Sequence, residues 1–366
     1  MEFLSDMLER PERLSEKMMT DNPPHPSTIV LTATNKCNLR CIMCGIWKDQ
    51  PSTDAHGRTL LGTDEILSFI KGLQTWGGVR FITFDTIGEP LMNPDFARIV
   101  TYAREQGFFV GVASNGTRLD EETARAIIEA DLQAMTISID SAIPEIHDRI
   151  RGQKGALAKT CEGIRTTKRL QDELGRSNPA LRIMTVLSKL NYQEIDRMAD
   201  LALDLSIEEL RIVYVSIIDD EVAAEMKAMT GNASNVANTF RFDVPKEQLY
   251  IEGIDRGELM QSLERLETKC RQHGIDLNLS LNPGMYQRSC KVFWNSMFID
   301  AFGNVYPCAM LNEVTGLGNI RETELDAIWG GERYRKLRTL IDRRNRGEFE
   351  LPICQRCCHF ADIQSV

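Results

Sequence analysis

Between residue 28 and about residue 217, short runs of β-branched and aromatic residues alternate with longer stretches whose apolar positions recur at helical spacing. The short runs, STIVLTAT, VRFITFD, FFVGVA, AMTISID, LRIMTVL and LRIVYVSI, predict six strands. The longer stretches, among them TDEILSFIKGLQTW, NPDFARIVTYAREQG, DEETARAIIEAD and KTCEGIRTTKRLQDEL, predict helices, most of them opened by an Asp, Asn or Thr cap. Such alternation implies parallel strands joined by crossovers. Six units suit a partial (β/α)6 barrel better than a closed eight-stranded one, and functional residues are expected at the C-terminal ends of its strands.

The rhythm breaks at 218–250, where small and polar residues read as a long connection or lid. A helix around 256–273 and the strand IDLNLSL return to the α/β pattern. Beyond Cys290, SMFIDAFGNVYPCAM predicts a hairpin turning at Gly303-Asn304, followed by LGNIRETELDAIW and the basic helix GERYRKLRTLIDRRNRGEF, read as a solvated face. The expected organisation is an N-terminal extension (1–27), an α/β barrel core (28–217), a lid with a helix and strand (218–283) and a small C-terminal domain (284–366).

With 366 residues, 42% apolar and 26% charged, the chain has the composition of a globular protein. A net charge of −10 gives no basic field for bulk nucleic-acid binding. No apolar run approaches the roughly 20 residues a membrane span needs, and the first 25 residues lack a signal-peptide core, so a cytoplasmic location is expected. Ten cysteines are many for that compartment, where clustered thiols bind metal more often than they form disulfides.

Three of them, Cys37, Cys41 and Cys44, fall within eight residues directly after the first strand, as C-x3-C-x2-C. A structural zinc wants four protein ligands, whereas an iron–sulfur cubane held by three thiolates keeps one iron open. The competing reading completes a zinc site with a distant histidine such as His56.

This loop, with apolar Met43 before its last cysteine, resembles the signature of the radical S-adenosylmethionine (radical SAM) superfamily. The resemblance implies a [4Fe-4S] cluster on Cys37, Cys41 and Cys44, S-adenosylmethionine bound at its open iron, and a 5′-deoxyadenosyl radical that abstracts hydrogen from substrate carbon. TIGEPLMNPDF is similar to the family's GGEP motif with Ile87 in place of the first glycine, which implies cofactor contacts at Gly88 and Glu89. ASNGT and SIDS at the next two strand ends imply a ribose contact at Ser138, with Ser114, Asn115 and Asp140 either cofactor contacts or turn and cap residues, and Ser188 after the fifth strand a further ribose contact. His147, in IHDRIRG, reads as structural. No general base is assignable; Lys189, Tyr214 and Asp219 are candidates by position at the barrel mouth.

Cys290, Cys308, Cys354 and Cys357 make a second set of four, suited by spacing to zinc or to a fully ligated cluster. C-x12-G-x4-C, GNIRETELDAIW and the closing C-x2-C resemble the auxiliary-cluster domain of SPASM/twitch radical SAM enzymes, and the spacing is similar to that of 2-deoxy-scyllo-inosamine dehydrogenase. Only Cys358 follows, which implies a twitch-type domain with one auxiliary [4Fe-4S] cluster. The resemblance implies an oxidoreductase that dehydrogenates an alcohol-bearing small molecule (a sugar, aminocyclitol or glycoside) in natural-product biosynthesis, the auxiliary cluster accepting an electron and a flavodoxin or ferredoxin supplying one. Peptide modification and epimerisation are the alternatives within the family, and a non-catalytic zinc scaffold is the alternative outside it. Cys161 and Cys270, in helical patterns, read as small buried hydrophobes.

Overall fold

The structure, a computed structural model, describes residues 23–48, 50–85, 87–214, 244–245, 248–249, 254–279, 290–311, 316–348, 351 and 354. Most of the expected lid, Asp219, Cys357 and Cys358 lie outside them.

The six expected strands form: β1 (Thr28–Leu31), β2 (Phe81–Phe84), β3 (Phe109–Ser114), β4 (Ala134–Ser138), β5 (Ala180–Leu187) and β6 (Glu209–Tyr214). They are joined by α1 (Thr63–Trp76), α2 (Phe96–Glu105), α3 (Glu121–Glu129), α4 (Pro144–Arg151), α5 (Ala156–Leu174) and α6 (Arg197–Asp204). C-terminal to these come α7 (Arg256–His273), β7 (Asp276–Leu279), α8 (Val292–Asn295), β8 (Ser296–Ile299), β9 (Val305–Tyr306), α9 (Leu325–Trp329) and α10 (Glu332–Asn345). Helix starts follow their caps: Asp120 accepts from Thr123 N at 2.9 Å and Asp255 from Glu258 N at 2.9 Å.

All strands belong to one open sheet in the order β7-β6-β5-β4-β3-β2-β1-β8-β9, parallel throughout except the β8–β9 hairpin. The sheet is therefore longer than six strands at both ends. β7 adds beside β6, and β8 pairs in parallel with β1 from Thr28↔Ser296 to Leu31↔Ile299. The hairpin expected at Gly303-Asn304 is present, and its first strand continues the barrel sheet across the boundary placed at 284.

Alternation along the strands separates two faces. Ile29, Leu31, Ile82, Phe84, Val110, Val112, Met135, Ile137, Leu210 and Ile212 enter the core under the helices. The opposite face turns inward. At its bottom Arg182 and Glu209 pair at 3.0 Å, and in the next layer Ser138, Met184, Arg211 and Asn278 stand side by side in register. Tyr214, placed by position at the barrel mouth, instead packs with Leu210 and Ile212 in the helix-side core, and Lys189 is exposed.

Candidate functional site

The cysteine loop leaves the C-terminal end of β1 and is held by one bond of its own and by two neighbours, α4 and the turn after β2. Cys44 N donates to Cys41 O at 3.1 Å, closing the last turn. Arg40 N and Ile42 N donate to the carbonyls of Arg151 and Ile150 at 3.3 and 2.9 Å, laying the loop along the end of α4. Gly152, which ends that helix at φ +67°, permits this contact, because a Cβ there would stand 2.1 Å from Arg40 O. On the other side Glu89 N donates to Lys36 O at 2.7 Å, and a Cβ on Gly88 (φ +77°) would stand 2.2 Å from Thr34 O. Gly88 thus permits close approach as expected, the approach being to the cysteine loop's own backbone.

Glu89 is buried under β2 and β3. Its carboxylate accepts from Ser114 Oγ at 2.7 Å, Asn115 N at 2.8 Å and Leu91 N at 3.2 Å. Desolvation nevertheless raises its pKa against these bonds. Asn115 carries the network into the loop, donating from Nδ2 to Asn38 Oδ1 at 3.0 Å while Asn38 donates to Thr117 Oγ1 at 2.8 Å. Ser114 and Asn115 therefore brace Glu89 and the cysteine loop. Ser188 is buried and its hydroxyl is engaged by Asn191 Oδ1 at 3.2 Å, whereas Ser138, half-buried on the inner face, makes no hydrogen bond through its hydroxyl to a described residue. Met43 is half-buried beside the thiols.

A buried ion pair that sequence reasoning missed lies behind the loop. Asp140, with no exposure, accepts from Val186 N at 3.1 Å and meets Arg151 Nε at 2.7 Å. Arg151 is itself buried, and its Nη1 reaches to 4.0 Å from Cys41 Sγ. His147, structural as expected, accepts from Asp140 N at 3.1 Å through Nδ1, and burial followed by the Arg151 charge holds its pKa down at about 4. The signal was in the same IHDRIRG phrase: an arginine directly before the glycine that ends a helix.

These residues fit a metal–sulfur cluster. Burial, and then the charges of neighbouring thiols, push Cys37 to about 11 and Cys44 to about 12, so three adjacent thiolates can exist here only with a cationic partner. Asn35 Oδ1 and Thr83 Oγ1, on the loop and on the inner face of β2, are buried without a hydrogen-bond partner among the described residues. Among the described residues, no three His, Cys, Asp or Glu side chains converge as a ready-made metal site, and His56 is exposed on a turn.

In the second set, Cys290 is buried, with Cys308 and Cys354 half-buried against the same core. Asn345 clamps the Cys290 backbone, accepting from its N–H at 2.8 Å and donating to its carbonyl at 3.0 Å. Burial raises the Cys290 thiol, with the neighbouring Val292 backbone, the Arg344 charge and the Phe293 backbone opposing that shift. α10 is not the uniformly solvated face expected of it: Tyr334, Arg338 and Ile341 are buried. Cys161 and Cys270 are buried in α5 and α7, and burial raises both thiols, Cys270 to about 11, as for inert core residues.

Residues 31–202 match the radical SAM superfamily, and residues 290–358 match SPASM, an iron–sulfur cluster-binding domain. An AdoMet-dependent heme synthase of Methanosarcina barkeri is 27% identical over 321 residues, covering 86% of this chain and 85% of that protein. A PqqA peptide cyclase of Xanthomonas oryzae is 24% identical over 349 residues, covering 93% of this chain and 82% of the cyclase. In fold, the chain resembles Streptococcus suis SuiB, solved bound to precursor peptide SuiA, with a TM-score of 0.63 at 15% identity over 88% of this chain and 69% of that one. No helix among the described residues is long and apolar enough to cross a membrane. The chain belongs to the radical SAM superfamily and carries a C-terminal SPASM domain, with S-adenosylmethionine and [4Fe-4S] clusters as its cofactors.

Proposed function

We propose that this radical SAM enzyme modifies a peptide, with Cys37, Cys41 and Cys44 holding the cluster that binds S-adenosylmethionine and Cys290, Cys308, Cys354 and Cys357 holding an auxiliary cluster. The carrying observation is the likeness to a peptide cyclase along 93% of this chain. The relatives reported above lend no support to the alcohol-bearing small molecule suggested by the C-terminal cysteine spacing. A tetrapyrrole is the second reading, favoured by the heme synthase likeness over 86% of the chain.

When bound, the N-terminal cluster and S-adenosylmethionine supply a 5′-deoxyadenosyl radical able to take hydrogen from unactivated carbon. The chain's own part is placement. Glu89, Ser114 and Asn115 fix the loop against the strand ends, the Asp140–Arg151 pair backs it, and Ser138 lines the inner face on which substrate would lie. A flavodoxin or ferredoxin in the cytoplasm would supply the electron.

The test is anaerobic turnover of the iron-reconstituted protein with dithionite and S-adenosylmethionine against peptides encoded beside its gene and against an iron porphyrin. A peptide whose mass changes as 5′-deoxyadenosine forms, with Cys37→Ala, Cys41→Ala and Cys44→Ala inactive, supports the reading. Conversion of the porphyrin alone, or turnover by those variants, overturns it.

A further inference from the structure

From Lys36 to Lys48 the cysteine loop carries three basic residues and no carboxylate, in a chain whose net charge is −10. Lys36, Arg40 and Lys48 are all exposed. The elements that hold the loop add to this charge. Asn38 donates to Thr117 Oγ1 at 2.8 Å, which brings the turn bearing exposed Arg118 beside the loop. Arg40 packs against Gly152 at the end of α4, where a Cβ on the glycine would stand 3.2 Å from the Cβ of Arg40. Exposed Arg149 and Lys154 lie on either side of that glycine in the chain.

The described carboxylates nearby are turned inward or engaged. Asp140 is buried on Arg151, and Glu89 is buried on Ser114 and Asn115. Asp148 accepts from the N–H groups of Gly155 and Leu157, and Asp120 caps α3. Exposed Glu145 opens α4, at the end away from the loop. An exposed cation is stabilised by water, so the sign of this surface, and not a missing ion pair, sets it apart from an acidic chain.

Trp47 connects the surface to the cluster ligands. Its indole N–H donates to Cys41 O at 3.1 Å, and the Arg40 guanidinium and the Lys48 ammonium lie 5.5 and 5.7 Å from the ring centroid. The half-buried ring therefore stands between solvent and the backbone of a cluster cysteine, with a cation on each flank. The cluster expected on Cys37, Cys41 and Cys44 takes one electron from a reduced carrier, which is oxidised by one electron in turn.

We propose that Arg40, Lys48, Arg118, Arg149 and Lys154 around Trp47 form the docking surface for that carrier, an acidic, flavin-carrying electron-transfer protein of the flavodoxin class. The proposal rests on the N-terminal cluster reading given above. A local positive rim on a negative chain steers an acidic partner to the cluster loop in preference to the rest of the surface. An aromatic ring flanked by cations suits a flat flavin presented from an acidic face. Electron-transfer encounters are small and transient, so a few charges around one aromatic residue are enough.

The experiment uses the full chain, reconstituted anaerobically, with purified flavodoxin as the probe. Arg149→Glu with Lys154→Glu, and Arg118→Glu with Lys154→Glu, reverse rim charges outside the cysteine loop. Lys71→Glu with Arg80→Glu makes the same change in charge on α1 and just before β2, at the strand end opposite the loop. Association with immobilised flavodoxin and stopped-flow reduction of the cluster by reduced flavodoxin are both timed. At about 0.01 M ionic strength each rim variant is expected to slow both processes about tenfold or more, converging on wild type near about 1 M, while the Lys71 and Arg80 variant stays close to wild type. Reduction by photoexcited deazaflavin, which needs no docking surface, is expected to be unchanged throughout. Rim variants that keep wild-type rates at low salt overturn the proposal. So does a wild-type rate indifferent to salt, which would mean that acidic residues outside the described ones, such as Asp49 or those at 219–225, neutralise the rim. Slowed deazaflavin reduction in both rim variants also overturns it, because the substitutions then act on the cluster itself. Rim dependence with a ferredoxin but not with flavodoxin overturns the choice of carrier, and a raised peptide KM with unchanged reduction gives the rim to substrate instead. Iron content unchanged by Cys37→Ala, Cys41→Ala and Cys44→Ala together overturns the N-terminal cluster reading, a failure distinct from loss of the salt dependence.

Discussion

Replacing Arg151 by Met isolates the buried ion pair behind the cysteine loop. The Met side chain fills most of the arginine's volume but leaves Asp140, without exposure, holding only the Val186 N–H at 3.1 Å and no cation. Removing one member of a buried pair typically costs about 3–5 kcal/mol, much of it the cost of stranding the remaining charge. Asp140→Asn strands the guanidinium in the same way and should cost a similar amount. The double variant places a neutral amide beside an apolar chain, leaves no stranded charge, and should recover most of the loss, giving a coupling energy above about 2 kcal/mol. Urea unfolding of the metal-free protein at pH 7.5, followed by circular dichroism for the wild type, both single variants and the double, measures each corner of this cycle. If Arg151→Met unfolds within about 1 kcal/mol of wild type, or if the two single costs simply add, the pair does not hold the loop and the reasoning fails.

His147 carries a pH signature. Its pKa is held at about 4 in the fold against 6.5 unfolded, so the unfolded chain binds more protons between those values; stability is full above pH 6.5 and falls as pH drops toward 4. In His147→Gln, denaturant midpoints measured across that window should decline less steeply than in wild type. Gly152→Ala puts a Cβ 2.1 Å from Arg40 O in a left-handed residue, and should lower stability by at least about 1–2 kcal/mol and reduce iron retained at the N-terminal site, read by iron analysis after desalting. Asn345→Ala removes both hydrogen bonds to the Cys290 backbone, worth about 1–3 kcal/mol together, and should speed chelator extraction of iron from the C-terminal site while leaving the N-terminal site unchanged.

The barrel was legible because each strand is a compact apolar run and each helix carries its own cap and periodicity, both local properties of the chain. The cysteine loop was legible because its ligands are contiguous. Pairing of β8 with β1 was not, since Thr28 and Ser296 come from opposite ends of the sequence and nothing local in SMFI selects a partner strand. The buried arginines were missed for one shared reason. Arg151 in IHDRIRG and Arg338 in the basic helix sit among exposed charges, and composition assigns all of them to solvent. The clue was positional: Tyr334, Arg338 and Ile341 fall on one helical stripe, and Arg151 follows Ile150 at a glycine-terminated helix end. At Ser188 the sequence offered a strand-end hydroxyl but not its local bond to Asn191, because a ligand contact and a turn hydroxyl look alike in sequence.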